Sequence, residues 1–335
     1  MLEMSNIGIQ MSSPRFLGDI FPARTKKPRS RGITMVLDRL QGLDREEFEL
    51  LADYVDIVKI GWGLSTLLSE EKLASRIEFY HKNLVKVSTG GTLLEIALAK
   101  GKSTQMIKMA RKVGFDIIEV SEGITEMGAR KQSLIAEIVS NGLDFVIEVG
   151  KKDPKNQLSI EETIAGIQKA VALGSKYVVI EGRESGKSVG IYDENGVIKW
   201  NWVESITGRF APDELMFEAP LEEQQAALIV HFGPSVNLGN IAFRSIGALE
   251  TQKQQLRGDT FGMIKSSNNV VGSPATKFVY YLIQTNKFLD QTAIIQTSGL
   301  PRRTIQSSLD SLVSQNAIRE NRDPNDTRRK MYSLA

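Results

Sequence analysis

The sequence predicts an α/β protein: a closed (β/α)8 barrel, followed by a small second domain with a different pattern. Eight short apolar runs alternate with amphipathic stretches of helical period between residues 33 and 261. Uninterrupted apolar strands separated by helices are typical of a parallel sheet with both faces covered, and eight is the number of repeats that closes a barrel. After Gly262 the composition becomes polar and the pattern changes.

The predicted strands are residues 33–37, 56–60, 84–87, 116–120, 144–149, 176–180, 215–217 and 235–238. The predicted helices between them include residues 45–54, 70–81, 103–113, 130–141, 160–173 and 221–232. An open, doubly wound sheet is the alternative. It would require a glycine-rich G-x-G-x-x-G turn after the first strand, and the sequence there is D-R-L-Q-G.

The chain is predicted to have four segments, with an N-terminal arm at residues 1–30 and the barrel at residues 31–262. A polar linker at residues 263–273 precedes the second domain at residues 274–335. With 335 residues, of which 41% are apolar, the chain is long enough for both cores. No run approaches the roughly 20 apolar residues that cross a bilayer, and the N-terminus has no apolar signal core, so we expect a cytoplasmic protein without a membrane partner.

The composition excludes several kinds of site. The absence of cysteine excludes disulfides, thiolate catalysis and cysteine-ligated metals. The two histidines, His81 and His231, are too few for a histidine-based metal site. Carboxylates and lysines therefore remain as the candidate chemical groups.

The predicted strand 144–149 ends in the most informative motif, E-V-G-K-K. Glu148 interrupts an apolar run, and Lys151 and Lys152 follow where the strand opens into a loop. A carboxylate among apolar neighbours is costly to bury unless it meets a cation. Other predicted strands also end in polar groups, among them Lys59, Glu119, Glu181, Glu218 and Asn237.

Barrel enzymes have their active sites at the C-terminal ends of the strands, so we expect these groups to converge on one rim. Several carboxylates suit Mg²⁺, whereas lysines, Arg183 and the glycine turn Gly90-Gly91-Thr92 suit a phosphate or carboxylate anion. The residues by themselves predict a metal-assisted enzyme that acts on a small phosphorylated acid.

Eight motifs, in the same order along the chain, resemble the phosphosulfolactate synthase family. They are V-K-I-G-W-G at 58–63, G-G-T-L-L-E at 90–95, E-V-S-E-G at 119–123, E-V-G-K-K at 148–152, I-E-G-R-E-S-G-K at 180–187, F-E-A-P at 217–220, V-N-L-G-N-I-A at 236–242 and L-R-G-D-T-F-G at 256–262. The resemblance implies a (β/α)8 fold and the Mg²⁺-dependent addition of sulfite to phosphoenolpyruvate, which gives (2R)-phospho-3-sulfolactate, an early step towards coenzyme M.

The resemblance also implies roles for individual residues. The proton donor proposed for the family falls on Lys152, and we expect Lys151 and Glu148 to act with it. A lysine whose pKa is lowered by neighbouring cations could donate the proton. The expected metal ligands are Glu119, Glu148 and Glu181. The expected substrate-binding residues are Lys59, Gly90, Gly91, Thr92, Arg183, Ser185, Lys187 and Asn237.

The last sixty residues resemble a winged helix of the MarR type. Helices are predicted at 276–288, 291–297 and 302–315, and strands at 317–321 and 330–334, while D-P-N-D-T-R at 323–328 matches a common wing motif. Residues 276–335 contain nine Lys or Arg and five Asp or Glu, a net charge of +4. The expected DNA-binding residues are Arg302, Arg303, Arg328 and Arg329. A dimerisation or regulatory module is the alternative.

Two functions therefore follow from the sequence. The first is a phosphosulfolactate synthase-like enzyme with an accessory DNA-binding domain, which we expect to be a homo-oligomer. The second is a transcription regulator that uses the barrel as a sensor for a small anion.

Overall fold

The structure is a computed structural model that describes residues 16–17, 24–153, 155–262, 270, 272–286, 289–315, 317–323 and 326–334. The chain divides into two compact units, Met1–Ile264 and Lys265–Ala335. The first unit contains the predicted barrel, and the second contains the predicted small domain.

Eight parallel strands close into a barrel in sequence order, which confirms the predicted (β/α)8 architecture and excludes the open sheet. The strands are β1 (Thr34–Asp38), β2 (Ile57–Ile60), β3 (Lys86–Thr89), β4 (Ile117–Val120), β5 (Asp144–Val149), β6 (Val178–Ile180), β7 (Leu215–Glu218) and β8 (Leu238–Ile241). β5 has the predicted bounds. β8 begins three residues later than predicted, and this shift changes the position of Asn237.

Nine α-helices accompany these strands in the described part of the first unit. They are α1 (Arg45–Leu51), α2 (Glu70–Lys82), α3 (Gly91–Ala99), α4 (Ser103–Val113), α5 (Arg130–Ser140), α6 (Ile160–Ala172), α7 (Trp200–Thr207), α8 (Glu222–Phe232) and α9 (Ile246–Lys253). Side-chain caps fix the first residue of several of these helices. Ser159, for example, forms a capping box with Glu162 at the start of α6.

The interior of the barrel is filled by apolar side chains, including Met35, Ile57, Ile117, Val146, Val179 and Met216. Gly239 fits among them because a Cβ at this position would lie 2.8 Å from Met35 Cε. Side chains two positions apart on a strand point to the same face. Five charged residues each follow one of these apolar residues by two positions, so their side chains also point into the barrel, in the next layer. They are Lys59, Glu119, Glu148, Glu181 and Glu218. The strand period thus places a charged layer directly above an apolar one.

The described end of the predicted N-terminal arm packs at the opposite end of the barrel, where the strands begin. Arg29 forms a buried ion pair with Asp56 at 2.9 Å, and Arg24 pairs with Glu250 at 3.0 Å. Lys253 Nζ donates to the carbonyl oxygens of Gly32 at 2.7 Å and Val236 at 3.3 Å. These contacts tie the arm and α9 to the strand starts and leave the C-terminal ends of the strands open.

The described residues of the second unit form three helices and a three-stranded antiparallel sheet. Its elements are α10 (Pro274–Asn286), β9 (Leu289–Asp290), α11 (Gln291–Ser298), α12 (Arg302–Ser314), β10 (Ile318–Asp323) and β11 (Asp326–Leu334), with the strand order β10-β11-β9. It has its own core, formed by Val279, Ile283, Ile294, Ile305, Leu309, Leu312, Ile318 and Tyr332. The winged-helix assignment stays a prediction.

The predicted DNA-binding residues have different surroundings within this unit. Arg302 and Arg303 are exposed in the first turn of α12. Arg329 in β11 pairs with Asp290, so its guanidinium already has a carboxylate partner. Arg328 also lies in β11, but its side chain is outside the described part of the chain. None of the described helices is long and apolar enough to cross a membrane.

Candidate active site

A cleft of about 290 Å³ opens at the C-terminal ends of the strands. Nine of the predicted site residues line it: Lys59, Gly90, Gly91, Thr92, Glu119, Glu148, Lys152, Glu181 and Arg183. Its other lining residues are Leu37, Gly61, Trp62, Glu184, Glu218 and Asn240. Side chains from most of the strands and the loops that follow them therefore meet in one cavity.

Lys59 lies at the base of this cleft. Its Nζ is 2.6 Å from Glu218 Oε1 and 3.2 Å from Glu119 Oε2, and the side chain is buried. Burial alone would lower its pKa, but the carboxylates of Glu119 and Glu218 outweigh that effect and raise the pKa well above the usual value. Lys59 is therefore an ammonium held between the carboxyl groups of Glu119 and Glu218, and its role as a substrate-binding residue stays a prediction.

Glu218 is a site residue that the predicted set of metal and substrate ligands omitted. Its Oε2 accepts hydrogen bonds from the backbone N–H groups of Gly182 at 2.9 Å and Arg183 at 3.1 Å. Oxygens of Glu119, Glu148 and Glu218 lie within 4.8 Å of one another, a spacing that could hold a metal ion. The sequence does contain a signal for this residue: Glu218 follows the interior residue Met216 by two positions on β7, so both side chains point into the barrel.

Glu148 and Glu181 form the less satisfied part of this acidic group. Oε1 of Glu148 is 3.4 Å from Lys152 Nζ and has no hydrogen bond among the described residues, and neither has Oε2 of Glu181. Buried carboxylate oxygens without hydrogen bonds are costly, and a bound metal ion could coordinate both. The residues at this end of the cleft therefore fit a metal ion.

The carboxyl groups differ in their proton affinity. Burial raises the pKa of Glu181 well above its usual value, and the neighbouring charge of Glu148 adds to this effect. Burial likewise raises the pKa of Glu119 to about 7, despite the opposing effect of Lys59. Burial also opposes ionisation of Glu148, but Lys152 and Lys59 outweigh it and lower the pKa. Glu148 is therefore the most acidic of these three groups.

Lys152 reaches over the cleft from the loop after β5. Its Nζ donates to Thr92 Oγ1 at 2.9 Å. Burial alone would lower its pKa, but the carboxylates of Glu148, Glu181 and Glu119 raise it above the usual value. The expectation of a pKa lowered by neighbouring cations is therefore wrong, because carboxylates dominate the surroundings of this ammonium. Lys152 is a protonated group that could deliver a proton.

Lys151, the preceding residue, is directed away from the cleft. Its Nζ donates to the carbonyl oxygen of Glu122 at 3.0 Å, and it does not line the cavity. Ser185 and Lys187 are exposed and also lie outside the lining. The structure thus does not bring these three predicted site residues to the cleft.

Asn237 is at the opposite end of the barrel, which corrects its prediction as a substrate ligand. It precedes β8, and its Oδ1 accepts from the N–H of Ile33 at 2.9 Å. Its Nδ2 donates to the carbonyl oxygen of Leu215 at 2.9 Å. Asn237 therefore joins the starts of neighbouring strands, and it has this role because β8 begins after it rather than before it.

Three non-glycine residues that line the cleft have left-handed backbone conformations. They are Trp62 with φ of 56°, Arg183 with φ of 54° and Asn240 with φ of 56°. Such conformations are strained and are concentrated at functional sites. Oδ1 of Asn240 is buried and makes no hydrogen bond with the described residues. Neither Trp62 nor Asn240 was among the predicted site residues, because backbone strain leaves no mark in composition or period.

Comparison with known proteins gives a consistent result for the first unit. Residues 22–259 match the family described as (2R)-phospho-3-sulfolactate synthase (ComA). A phosphosulfolactate synthase from Methanocaldococcus jannaschii is 39% identical over 241 residues, which cover 70% of this chain and 95% of the relative. The phosphosulfolactate synthase from Methanothermobacter thermautotrophicus is 38% identical, covering 72% and 96%. The phosphosulfolactate synthase from Bacillus subtilis is 32% identical, also covering 72% and 96%.

Proposed function

The chain belongs to the phosphosulfolactate synthase family, and from this premise we propose that it catalyses the Mg²⁺-dependent addition of sulfite to phosphoenolpyruvate. The product would be (2R)-phospho-3-sulfolactate, a precursor of coenzyme M. The observation that carries the proposal is the position of the Lys152 ammonium. It lies 3.4 Å from the Glu148 carboxylate, over a cleft that contains two buried carboxylate oxygens without hydrogen bonds.

The reaction needs a nucleophile, a place for negative charge and a proton. The sulfur of sulfite forms a bond to the methylene carbon of phosphoenolpyruvate, and the electron pair of the double bond moves towards the substrate carboxylate. The neighbouring carbon, which bears the phosphate, then takes a proton. Lys152 is the proton donor in this proposal, because it is an ammonium at the edge of the cleft and its hydrogen bond to Thr92 orients Nζ.

The charge of the cleft supports a requirement for a cation. Its lining contains three basic side chains, Lys59, Lys152 and Arg183, and five glutamates. With every group ionised, the lining would have a net charge of −2, which would repel both anionic substrates. Protonation of glutamates or a bound cation must therefore offset this negative charge before anions can bind.

Magnesium is the cofactor that we propose, held by Glu119 and Glu148 together with Glu181, as the sequence predicts, or with Glu218, whose carboxylate completes the group spaced within 4.8 Å. The ion would supply electrostatic stabilisation of the charge that builds up on the substrate carboxylate. The protein groups around it have separate tasks. Lys59 fixes the positions of Glu119 and Glu218, and the Arg183 guanidinium is the proposed donor for the phosphate or carboxylate of the substrate. Gly90, Gly91 and Thr92 line the cleft beside it, and the Gly91 N–H also holds Glu119 through Oε1 at 2.8 Å.

An assay of the purified full-length protein with phosphoenolpyruvate, sulfite and Mg²⁺ tests the proposal. We expect phosphosulfolactate to form, observed by ³¹P NMR, and no product when sulfite is omitted. Lys152→Ala serves as the matched negative control. Absence of product with the full-length protein at millimolar substrates would reject the synthase assignment and favour the sensor hypothesis, in which the barrel binds an anion without turnover.

For the second unit we propose a winged helix that binds DNA. Supporting observations are the order helix, strand, helix, helix and β-hairpin, and the exposed Arg302 and Arg303 at the start of α12. Binding should weaken steeply as salt rises, because phosphate contacts release counterions. Fluorescence anisotropy with duplex DNA should show weaker binding for the double variant Arg302→Ala/Arg303→Ala than for Lys277→Ala, which removes an exposed charge from α10. Equal binding by these variants would contradict this assignment of the contacts.

A further inference from the structure

We propose that Glu95 is a positioning residue for Lys152: it holds the loop at residues 121–127, and this loop fixes the lysine side chain over the cleft. The inference rests on the proposed function for the role of Lys152. It concerns a buried carboxylate that neither lines the cleft nor takes part in the proposed chemistry.

Glu95 is fully buried on α3, and its hydrogen-bond donors among the described residues come from the loop after β4. Oε2 accepts from the backbone N–H groups of Ile124 at 2.6 Å and Thr125 at 2.7 Å. Oε1 accepts a hydrogen bond from the hydroxyl of Ser121. A buried carboxylate is costly unless both oxygens are satisfied, and loop amides without this acceptor would be left unpaired. Removal of Glu95 would therefore leave the loop N–H groups unpaired, and displacement of the loop would leave the buried carboxylate unpaired.

The same loop contacts both lysines of the E-V-G-K-K motif. The carbonyl oxygen of Glu122 accepts from Lys151 Nζ at 3.0 Å, and the carbonyl oxygen of Gly123 accepts from the Lys152 N–H at 3.4 Å. Gly123 also packs against the aliphatic stem of Lys152, since a Cβ at this position would lie 2.9 Å from Lys152 Cγ. The loop is thus a wall that limits the directions open to the Lys152 side chain.

Helix α3 supports Lys152 a second time through Thr92. Thr92 Oγ1 accepts from Lys152 Nζ at 2.9 Å, and Glu95 follows Thr92 by three residues. Residues three apart on a helix lie on the same face, one turn apart. The same face of α3 therefore contacts the Lys152 ammonium through Thr92 and holds the loop that packs against the lysine stem through Glu95. Glu95 thus sets the position of this loop relative to Thr92.

The kinetic test compares Glu95→Ala with Glu95→Gln. A displacement of about 1 Å at a reacting group can lower the rate by about 10²-fold. We expect Glu95→Ala to lower kcat by about 10- to 100-fold while KM for phosphoenolpyruvate remains similar to that of the wild type. Glu95→Gln keeps a carbonyl acceptor for the N–H groups of Ile124 and Thr125, so it should recover most of kcat.

Glu250→Ala is the control for a general loss of stability. Glu250 is also a buried carboxylate, but it pairs with Arg24 at the opposite end of the barrel. We expect this variant to lower the melting temperature and to leave kcat nearly unchanged. A loss of kcat in Glu95→Ala no larger than that in Glu250→Ala at a similar melting temperature would overturn the positioning role.

A second measurement does not depend on activity. Reductive methylation followed by peptide mass spectrometry reports the accessibility of each lysine, and we expect Lys152 to react several-fold faster in Glu95→Ala than in the wild type or Glu250→Ala. If the wild type makes no phosphosulfolactate but this increase is seen, the proposed function fails and the structural role of Glu95 stands. If Lys152 reacts at the wild-type rate in Glu95→Ala, the inference is rejected whatever the activity.

Discussion

The ammonium of Lys59 lies 2.6 Å from Oε1 of Glu218, and both side chains are buried at the base of the cleft. Glu119 shares the same ammonium at 3.2 Å. Removing one member of a buried ion pair leaves an uncompensated charge, and this is more costly than the net stability of the pair itself.

Lys59→Met should therefore destabilise the protein by about 3–5 kcal/mol. The double variant Lys59→Met/Glu218→Gln should recover part of this loss, because it also removes one of the orphaned charges. Urea unfolding followed by circular dichroism measures both effects. A Lys59→Met variant as stable as the wild type would show that the neighbouring glutamates are neutral in the folded protein.

Lys152→Ala should lose most of the turnover while phosphoenolpyruvate still binds. Loss of a proton donor lowers the rate by about 10²- to 10⁴-fold, whereas loss of a binding contact chiefly raises KM. Lys155→Ala is the matched control, since this lysine is exposed and does not line the cleft. Steady-state kinetics that gave a near wild-type kcat for Lys152→Ala would remove Lys152 as the proton donor.

The barrel and the charged layer at its mouth could be predicted because both follow from the period of two residues in a strand. Glu148 is the clearest case, since β5 has the predicted bounds. Asn237 was misplaced because V-N-L-G-N-I reads as a strand in more than one register, and only pairing with β1 and β7 selects the one that begins at Leu238. Pairing with neighbouring strands thus fixes the register, which the sequence of a short apolar run does not determine.

The proton affinities in the cleft could not be predicted from the order of residues. The sequence places Lys151 next to Lys152, which suggested a cationic neighbourhood, but Lys151 turns towards Glu122. Glu148 on β5, together with Glu181 and Glu119 from other strands, surrounds Lys152 instead and raises its pKa. Such shifts depend on distances across the barrel, which are set by strands far apart in the chain.

The pKa of Glu119, raised by burial to about 7, predicts a pH-dependent stability of the metal-free protein. The folded state keeps this proton up to about pH 7, whereas the unfolded chain releases it near pH 4.5. The unfolded state therefore binds fewer protons between these values, and the free energy of unfolding should fall as the pH rises through this window. Glu119→Gln removes the titrating group, so its melting temperature, measured in EDTA, should fall less between pH 5 and pH 8. Parallel curves for the two proteins would contradict the raised pKa.

Removal of metal should abolish activity if the carboxylates hold Mg²⁺ against the substrate. We expect EDTA to stop product formation and excess Mg²⁺ to restore it. Glu148→Gln should need a higher Mg²⁺ concentration for half-maximal activity, because an amide is a weaker ligand for a hard cation than a carboxylate. Full activity after exhaustive chelation would leave Glu119, Glu148 and Glu181 as partners of the lysines only.

Truncation separates the two units. The apolar core of the barrel is complete by Leu249, and Glu250 and Lys253 on α9 are tied to the N-terminal segment and to the strand starts. A chain that ends at Gly262 keeps all these contacts, so we expect it to fold and to retain kcat for the synthase reaction.

A shorter chain that ends at Leu249 is the informative comparison for this truncation. It loses the side chain of Lys253, whose Nζ donates to the carbonyl oxygens of Gly32 before β1 and Val236 before β8. It also loses Glu250, the carboxylate partner of Arg24. Loss of several buried polar contacts should lower the melting temperature sharply. If the chain that ends at Gly262 is insoluble or inactive while the full-length protein is active, the second unit contributes to the catalytic assembly, and it cannot be treated as an accessory domain.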